Sequence, residues 1–144
     1  MSSASSIADG LQTLLSAASV FGTGMVGKAE YRVLEQSSGS CAVIEFADVE
    51  SRPTSFGNPR GREREWTYNI KCYLKDTGDP ISVGAKSLTL TDTILLALES
   101  DDTVQGTVDA INRIHVSREL ETALEVGGFA WLPFDVEVDL IEEV

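Results

Sequence analysis

We predict the fold of this chain from the stretch Arg64–Lys75, which has the sequence REWTYNIKCYLK. Every second residue in it is apolar and belongs to one face: Trp66, Tyr68, Ile70, Cys72 and Leu74. The residues between them are polar except for Tyr73. Such alternation is typical of a strand with one buried and one solvated face, as in antiparallel sheets. The stretch therefore predicts an antiparallel sheet that covers a single core.

Three other segments alternate in the same way and predict the remaining strands. They are Cys41–Glu50, Val104–Val116 and a last strand that begins near Phe134. The last strand is expected to begin only there because Pro133 has no N–H to donate to a strand ladder.

Two segments, Ile7–Ala18 and Ser87–Glu99, instead carry apolar residues at intervals of three and four, which is typical of amphipathic helices. The order of elements is α-β-β-α-β-β, without an internal repeat or a linker. The 144 residues have the length of one domain. We therefore expect one α+β domain over residues 1–144, a mostly antiparallel sheet of about four strands with both helices on one face.

The segment between the first two predicted strands is unusual. Residues 51–63, SRPTSFGNPRGRE, contain two prolines and two glycines. The segment is too long for a tight hairpin turn and too polar to be buried. The segment is therefore expected to be a long extended loop that projects from the domain as a mobile arm.

Charge is distributed unevenly along the chain, whose net charge is −12. Residues 51–75 carry six basic and two acidic residues, a net charge of +4. Residues 76–144 carry three basic and fifteen acidic residues, a net charge of −12. The basic segment contains four arginines on or beside the arm: Arg52, Arg60, Arg62 and Arg64. Arginine binds carboxylates through a planar fork of donors, so these residues are candidates for contacts with an acidic surface.

The last predicted strand offers such an acidic surface, because Asp135, Glu137 and Asp139 share one of its faces. If the basic and acidic patches are separate on the molecule, identical copies can join them only head to tail. That geometry closes into a ring or grows into a fibre. The alternative is that both patches are simply solvated charged surfaces, which predicts no assembly.

Several functions are disfavoured by the composition. The acidic balance argues against a dedicated nucleic-acid binder, and no apolar run approaches the length of a membrane span. Gly22, Gly24 and Gly27 match the spacing of a dinucleotide-binding loop but follow a helix rather than a strand. Two cysteines and the single histidine, His115, fall short of a zinc site. The sequence therefore predicts no enzyme, no metal and no cofactor, and a reducing cytosolic place of synthesis.

With these elements in order, the chain resembles the tail terminator, or tail-completion, proteins of long-tailed bacteriophages. The resemblance covers most of the chain. It is carried by these segments: IADGLQTLLSA (7–17), CAVIEFADV (41–49), REREWTYNIKCYLK (62–75), LTDTILLALESDDTV (90–104), GTVDAINRIHV (106–116) and FDVEVDLIEEV (134–144).

The resemblance implies a structural virion protein at the neck of the tail. Such proteins form a hexameric ring on the head-proximal end of the tail tube and stop its elongation. They also present a surface to the head-tail connector, and double-stranded DNA later passes through the ring without being held. Two alternatives stay open: a head-side stopper protein of the same neck, and a monomeric acidic adaptor for a basic partner in the cytosol.

Overall fold

The computed structural model describes residues 2–18, 21, 26–28, 40–55, 58–75, 80–118, 124–126 and 129–144. In these ranges the chain forms two helices and six strands. The helices are α1 (Ala4–Ser16) and α2 (Pro80–Glu99). The strands are β1 (Val26–Lys28), β2 (Ser40–Ser55), β3 (Asn58–Lys75), β4 (Ala110–Arg118), β5 (Leu124–Val126) and β6 (Phe129–Glu143).

The strands form one sheet in the order β1-β2-β3-β6-β4, and β5 pairs with the first three residues of β6. Only β1 and β2 are parallel; the other pairs run antiparallel. The predicted α+β class with a mostly antiparallel sheet is therefore confirmed. The sheet has six strands instead of about four, because β1 and β5 are three residues long and too short to show a pattern.

The core lies between the two helices and one face of the sheet. The predicted apolar face of β3 is buried there, together with the apolar face of β6: Phe134, Val136, Val138 and Leu140. The helices contribute buried residues at helical spacing: Ile7, Leu11, Leu14 and Leu15 from α1, and Leu90, Ile94 and Leu98 from α2. The prediction that both helices cover one face is therefore confirmed. We call this the helix side of the sheet and the opposite one the outer side.

Tyr68 fastens α1 to the centre of the sheet. Its side chain is fully buried, and its hydroxyl donates a hydrogen bond of 2.6 Å to the carbonyl oxygen of Ala4. Burial disfavours the charged phenolate and raises the pKa of Tyr68 to about 12. On the outer side, a smaller buried cluster joins Cys41, Val43, Tyr73 and Trp131.

Helix α2 begins seven residues earlier than predicted, at Pro80 instead of Ser87. Proline is compatible with the first position of a helix, because the N–H that it lacks would have no partner there. Its buried face is narrow, because the apolar side chain of Leu88 is 72% exposed. The buried residues Leu90, Ile94 and Leu98 recur every four positions and form the stripe that contacts the core.

The prediction of a strand over Val104–Val116 is wrong for its first half, because residues 101–109 form a turn and β4 begins at Ala110. Asp101 accepts hydrogen bonds from the backbone N–H groups of Thr103 and Gln105 and fixes this turn. Val104 adopts a φ of 47°, in the left-handed region that a strand excludes. Its apolar side chain is nevertheless buried against the core, which explains the misleading pattern.

Gly10 of α1 lies directly against this turn. A Cβ atom at Gly10 would be 2.6 Å from the carbonyl oxygen of Val104, which is backbone and cannot move aside cheaply. We expect Gly10→Ala to lower the free energy of unfolding by about 1–2 kcal/mol, despite the better helix propensity of alanine. Gly84→Ala in α2 is the matched control, because its Cβ would have no heavy atom within 4 Å. We expect this control to raise the free energy of unfolding by about 0.5–1 kcal/mol.

Urea titration of both variants measures this pair of effects. A Gly10→Ala variant as stable as Gly84→Ala would show that α1 and the turn are not in close contact.

The last strand begins at Phe129 and not near Phe134, so Pro133 lies inside β6. On one side Pro133 pairs with Tyr73 of β3. On the other side it falls between Trp131, where pairing with β5 ends, and Phe134, where pairing with β4 begins. No described strand therefore pairs with Pro133 on that side, where a missing N–H costs no ladder hydrogen bond.

The predicted loop over residues 51–63 is also wrong, because these residues belong to a long β-hairpin. Strand β2 continues to Ser55 and β3 begins at Asn58, with Ser51 opposite Arg64 and Ser55 opposite Asn58. Pro53 is tolerated because β2 is an edge strand here: β1 pairs with it only from Ala42 to Ile44. Pro53, Pro59 and Gly61 thus lie within the two strands of a ribbon rather than in a loop.

Candidate subunit interface

The hairpin extends past the rest of the sheet. Strand β6 follows β3 as far as Arg62, which exchanges two backbone hydrogen bonds with Val144. From there to Asn58, β3 pairs only with β2 among the described strands. Four residues at the rise of a strand span about 13 Å, which is the reach of this two-stranded ribbon before its turn. The hairpin therefore extends beyond β6 at one end of the sheet.

The predicted arginines lie on both sides of this hairpin. Arg52 is on the outer side, where its Nη2 atom lies 2.5 Å from Glu65 Oε2 and 4.0 Å from Glu50 Oε2. Arg62 is on the helix side, and its Nε donates a hydrogen bond of 3.0 Å to Ser51 Oγ. Arg60 lies in the same strand, two residues before Arg62. Alternation along paired strands thus divides the predicted basic patch between two faces.

Arg64 is not on the exposed surface that the sequence predicts for it. Its side chain is 22% exposed and lies on the helix side, with Nη1 3.9 Å from Oε1 of Glu142. Glu142 is buried, and its Oε2 accepts a hydrogen bond of 2.9 Å from the N–H of Ser2. Within the described part of the chain, Oε1 of Glu142 has no hydrogen-bond donor. Among the described residues, the Arg64 guanidinium is therefore the nearest positive charge to the buried Glu142 carboxylate at the end of the core.

The predicted acidic residues share the outer side of β6, as the sequence indicates, but they face basic residues of the same chain. Asp135 forms an ion pair with Lys71 of β3. Arg113 of β4 lies 2.9 Å from Glu137 and 3.4 Å from Asp139. Asp139 also accepts a hydrogen bond of 3.0 Å from the hydroxyl of Thr67. The acidic surface is thus partly neutralised within the molecule.

The basic and acidic segments are neighbours in the sheet, although Arg62 and Arg64 lie on its helix side and the acidic residues of β6 lie on its outer side. Strands β3 and β6 are neighbours in the sheet, so the basic strand lies directly beside the acidic one, from Glu63 opposite Glu143 to Lys75 opposite Trp131. Counting charge along the chain could not show this, because pairing joins residues about 70 positions apart. Among the arginine side chains of the hairpin that the structure describes, Arg52 and Arg62 are exposed and can contact another molecule.

Two further surfaces were not predicted from the sequence: the open edges of the sheet. From Phe46 to Pro53 every residue of β2 is exposed, and no described strand pairs with its free edge. Phe46 is 50% exposed and packs edge-on against the rings of Trp66 and Tyr68. At the opposite end of the sheet, β6 is the one described strand that pairs with β4. The extra residue Ala47 shifts the register of β2 at this point.

The described residues show little that resembles a reactive centre. No group of three or more His, Cys, Asp or Glu side chains among them is placed to hold a metal ion. His115 lies exposed on β4. Cys72 is fully buried, and this burial raises the pKa of its thiol. None of the described helices combines the length and the apolar character that crossing a membrane requires.

Comparison with known proteins adds no assignment to this geometry. No known protein family matches the chain, and a search of curated proteins finds no similar sequence.

Proposed function

We propose that this chain is a structural virion protein, a ring-forming tail terminator of a long-tailed phage or a phage-derived particle. In this proposal, six copies of the chain close into a ring on the head-proximal end of the tail tube and stop its elongation. The protein acts without a catalytic step or a cofactor. It is made in the host cytoplasm and resides in the neck of the virion.

The observation that carries the proposal is the hairpin that extends beyond the sheet. A ribbon with exposed arginines at its base can reach a neighbouring molecule without disturbing the core. Arginine recognises carboxylates in a defined geometry, so the hairpin suits an acidic groove on the tail tube. The resemblance of the chain to tail terminators supports the same partner.

The remaining partners follow from the position in the neck. The surface of the ring opposite the tube would meet the head-tail connector. Double-stranded DNA would pass through the opening, and the net charge of −12 suits this role because like charges repel phosphate. The arrangement requires neither a membrane nor specific DNA binding.

Electron microscopy with two templates tests this function. Tail tubes assembled from the tube protein of the same phage, without the chain, are incubated with purified protein, as are DNA-filled heads that lack tails. We expect a ring at one end of each tube and none on the heads. Binding to heads alone would identify a stopper protein, and binding to neither template would favour the adaptor.

A further inference from the structure

We infer that neighbouring copies join by strand addition, with the free edge of β2 in one copy pairing antiparallel with β4 of the next. This inference rests on the proposed function, since it names the contact from which the ring is built. The occupant of each edge is thus a second copy of this chain.

Both edges have the backbone groups needed for such pairing. In β2 the regular stretch is Asp48–Arg52, between the extra residue Ala47 and Pro53. In β4 it is Arg113–Arg118, after the register shift that follows Ile111. No described strand occupies either edge. An open edge of this kind is a template for another strand, since its outward N–H and C=O groups have no ladder partners.

The side chains of the two edges match in one register. With Val49 placed opposite Ile114, two residues on the helix side, one exposed and one half-buried, would cover each other. The same register places Glu50 opposite Arg113 and Asp48 opposite His115 on the outer side. Opposite charges at directly paired positions stabilise a sheet, and apolar pairs do so on the other face.

Charge also decides which edges join. Strand β4 contains Arg113 and Arg118 and no acidic residue, whereas Asp48 and Glu50 dominate the free edge of β2. Pairing β4 with β4 would offer its arginines no acidic partner, and pairing β2 with β2 about Glu50 would place two Glu50 side chains opposite each other, with only Asp48 and Arg52 matched. Arg113 would then lie between its own Glu137 and the Glu50 of the neighbour. The contact is therefore head to tail, the type that produces rings.

Strand direction fixes the orientation of the ring. Successive strands from β2 to β4 alternate in direction, so β2 and β4 of one copy are antiparallel. Rotation about an axis along the strands preserves direction and presents the next β2 antiparallel to β4. In such a ring the hairpin points along the ring axis, toward the tail tube. Strand addition thus leaves the hairpin available for the tail tube.

Disulfide trapping tests the inference with Asp48→Cys combined with His115→Cys. Within one chain the two positions are separated by three interstrand spacings, about 14 Å, whereas a disulfide requires Cα atoms roughly 4–7 Å apart. Any bond between them is therefore intermolecular. After oxidation with tail tubes present, we expect a ladder on non-reducing gels that ends at a closed species. The native Cys41 and Cys72 are buried and do not compete.

Three controls make the result specific. Each single variant can form at most a disulfide dimer, and Leu88→Cys with Leu96→Cys supplies two exposed thiols away from both edges. Asp48→Cys with Ser117→Cys detects a register displaced by two residues. If wild-type protein caps tubes but neither edge pair gives a ladder, strand addition is overturned while the proposed function stands. If wild-type protein does not bind tubes, the proposed function is overturned, and a ladder in solution would still support the edge contact.

Discussion

Replacing Arg60 and Arg62 together by glutamate is expected to weaken the binding of the chain to tail tube ends by at least tenfold. A hydrogen bond to a charged group contributes about 1.5–3 kcal/mol, and tenfold in affinity corresponds to about 1.4 kcal/mol. Losing even one arginine–carboxylate contact and gaining repulsion therefore suffices. The fold should be unaffected, because Arg62 is exposed and such substitutions change stability by less than about 0.5 kcal/mol. Cosedimentation with tubes and urea titration measure the two quantities.

The matched control for this variant is Lys28→Glu with Lys86→Glu. Both lysines are exposed and lie outside the hairpin, and the net charge changes by the same amount; because Lys28 pairs with Asp9 of α1, urea titration must show that this control is folded. Equal loss of binding in both double variants would show that overall charge, and not the hairpin, governs attachment. Full binding by the arginine variant would show that the hairpin is only a solvated ribbon.

Replacing Arg64 by leucine is expected to have the largest effect on stability of any single charge change in the chain. It removes the cation nearest to the Glu142 carboxylate, which is only 6% exposed. Breaking a buried ion pair costs about 3–5 kcal/mol. Because Arg64 is 22% exposed and its Nη1 lies 3.9 Å from the carboxylate, we expect a smaller loss of about 2–3 kcal/mol. The free energy of unfolding in urea measures this loss.

The double variant Arg64→Leu with Glu142→Leu distinguishes the charge from the packing. Removing both charges leaves no buried carboxylate without its cation, so the double variant should be more stable than Arg64→Leu alone. A double variant that is less stable than either single variant, with additive losses, would mean that the two side chains do not interact. Arg64 is for this reason excluded from the variant that tests the hairpin.

The sequence was sufficient where one physical requirement acts on every residue of a segment. Each alternate side chain of β3 from Trp66 to Leu74 must be buried, so the strand and its buried face could be predicted. The same holds for the stripe of α1 from Ile7 to Leu15. From these two elements the α+β class and the placement of the helices followed.

The sequence was insufficient where the partner of a segment is distant. Residues 51–55 and 58–63 lie in the two paired strands of a hairpin, yet the composition of residues 51–63 is that of a loop. Arg64 and Glu142 are 78 positions apart and meet only because β3 and β6 pair. Val104 alternates with its neighbours but belongs to a turn held by Asp101, a single side chain whose effect the pattern does not reveal.

The length of tail tubes grown in the presence of the chain shows whether the chain terminates their elongation. Tube protein is polymerised alone or with increasing amounts of purified protein, and tube lengths are measured by electron microscopy. If the chain closes a ring on the growing end, tubes should stop elongating and become shorter as more of it is added, each with one ring at one end. Tubes of unchanged length with bare ends would contradict the account.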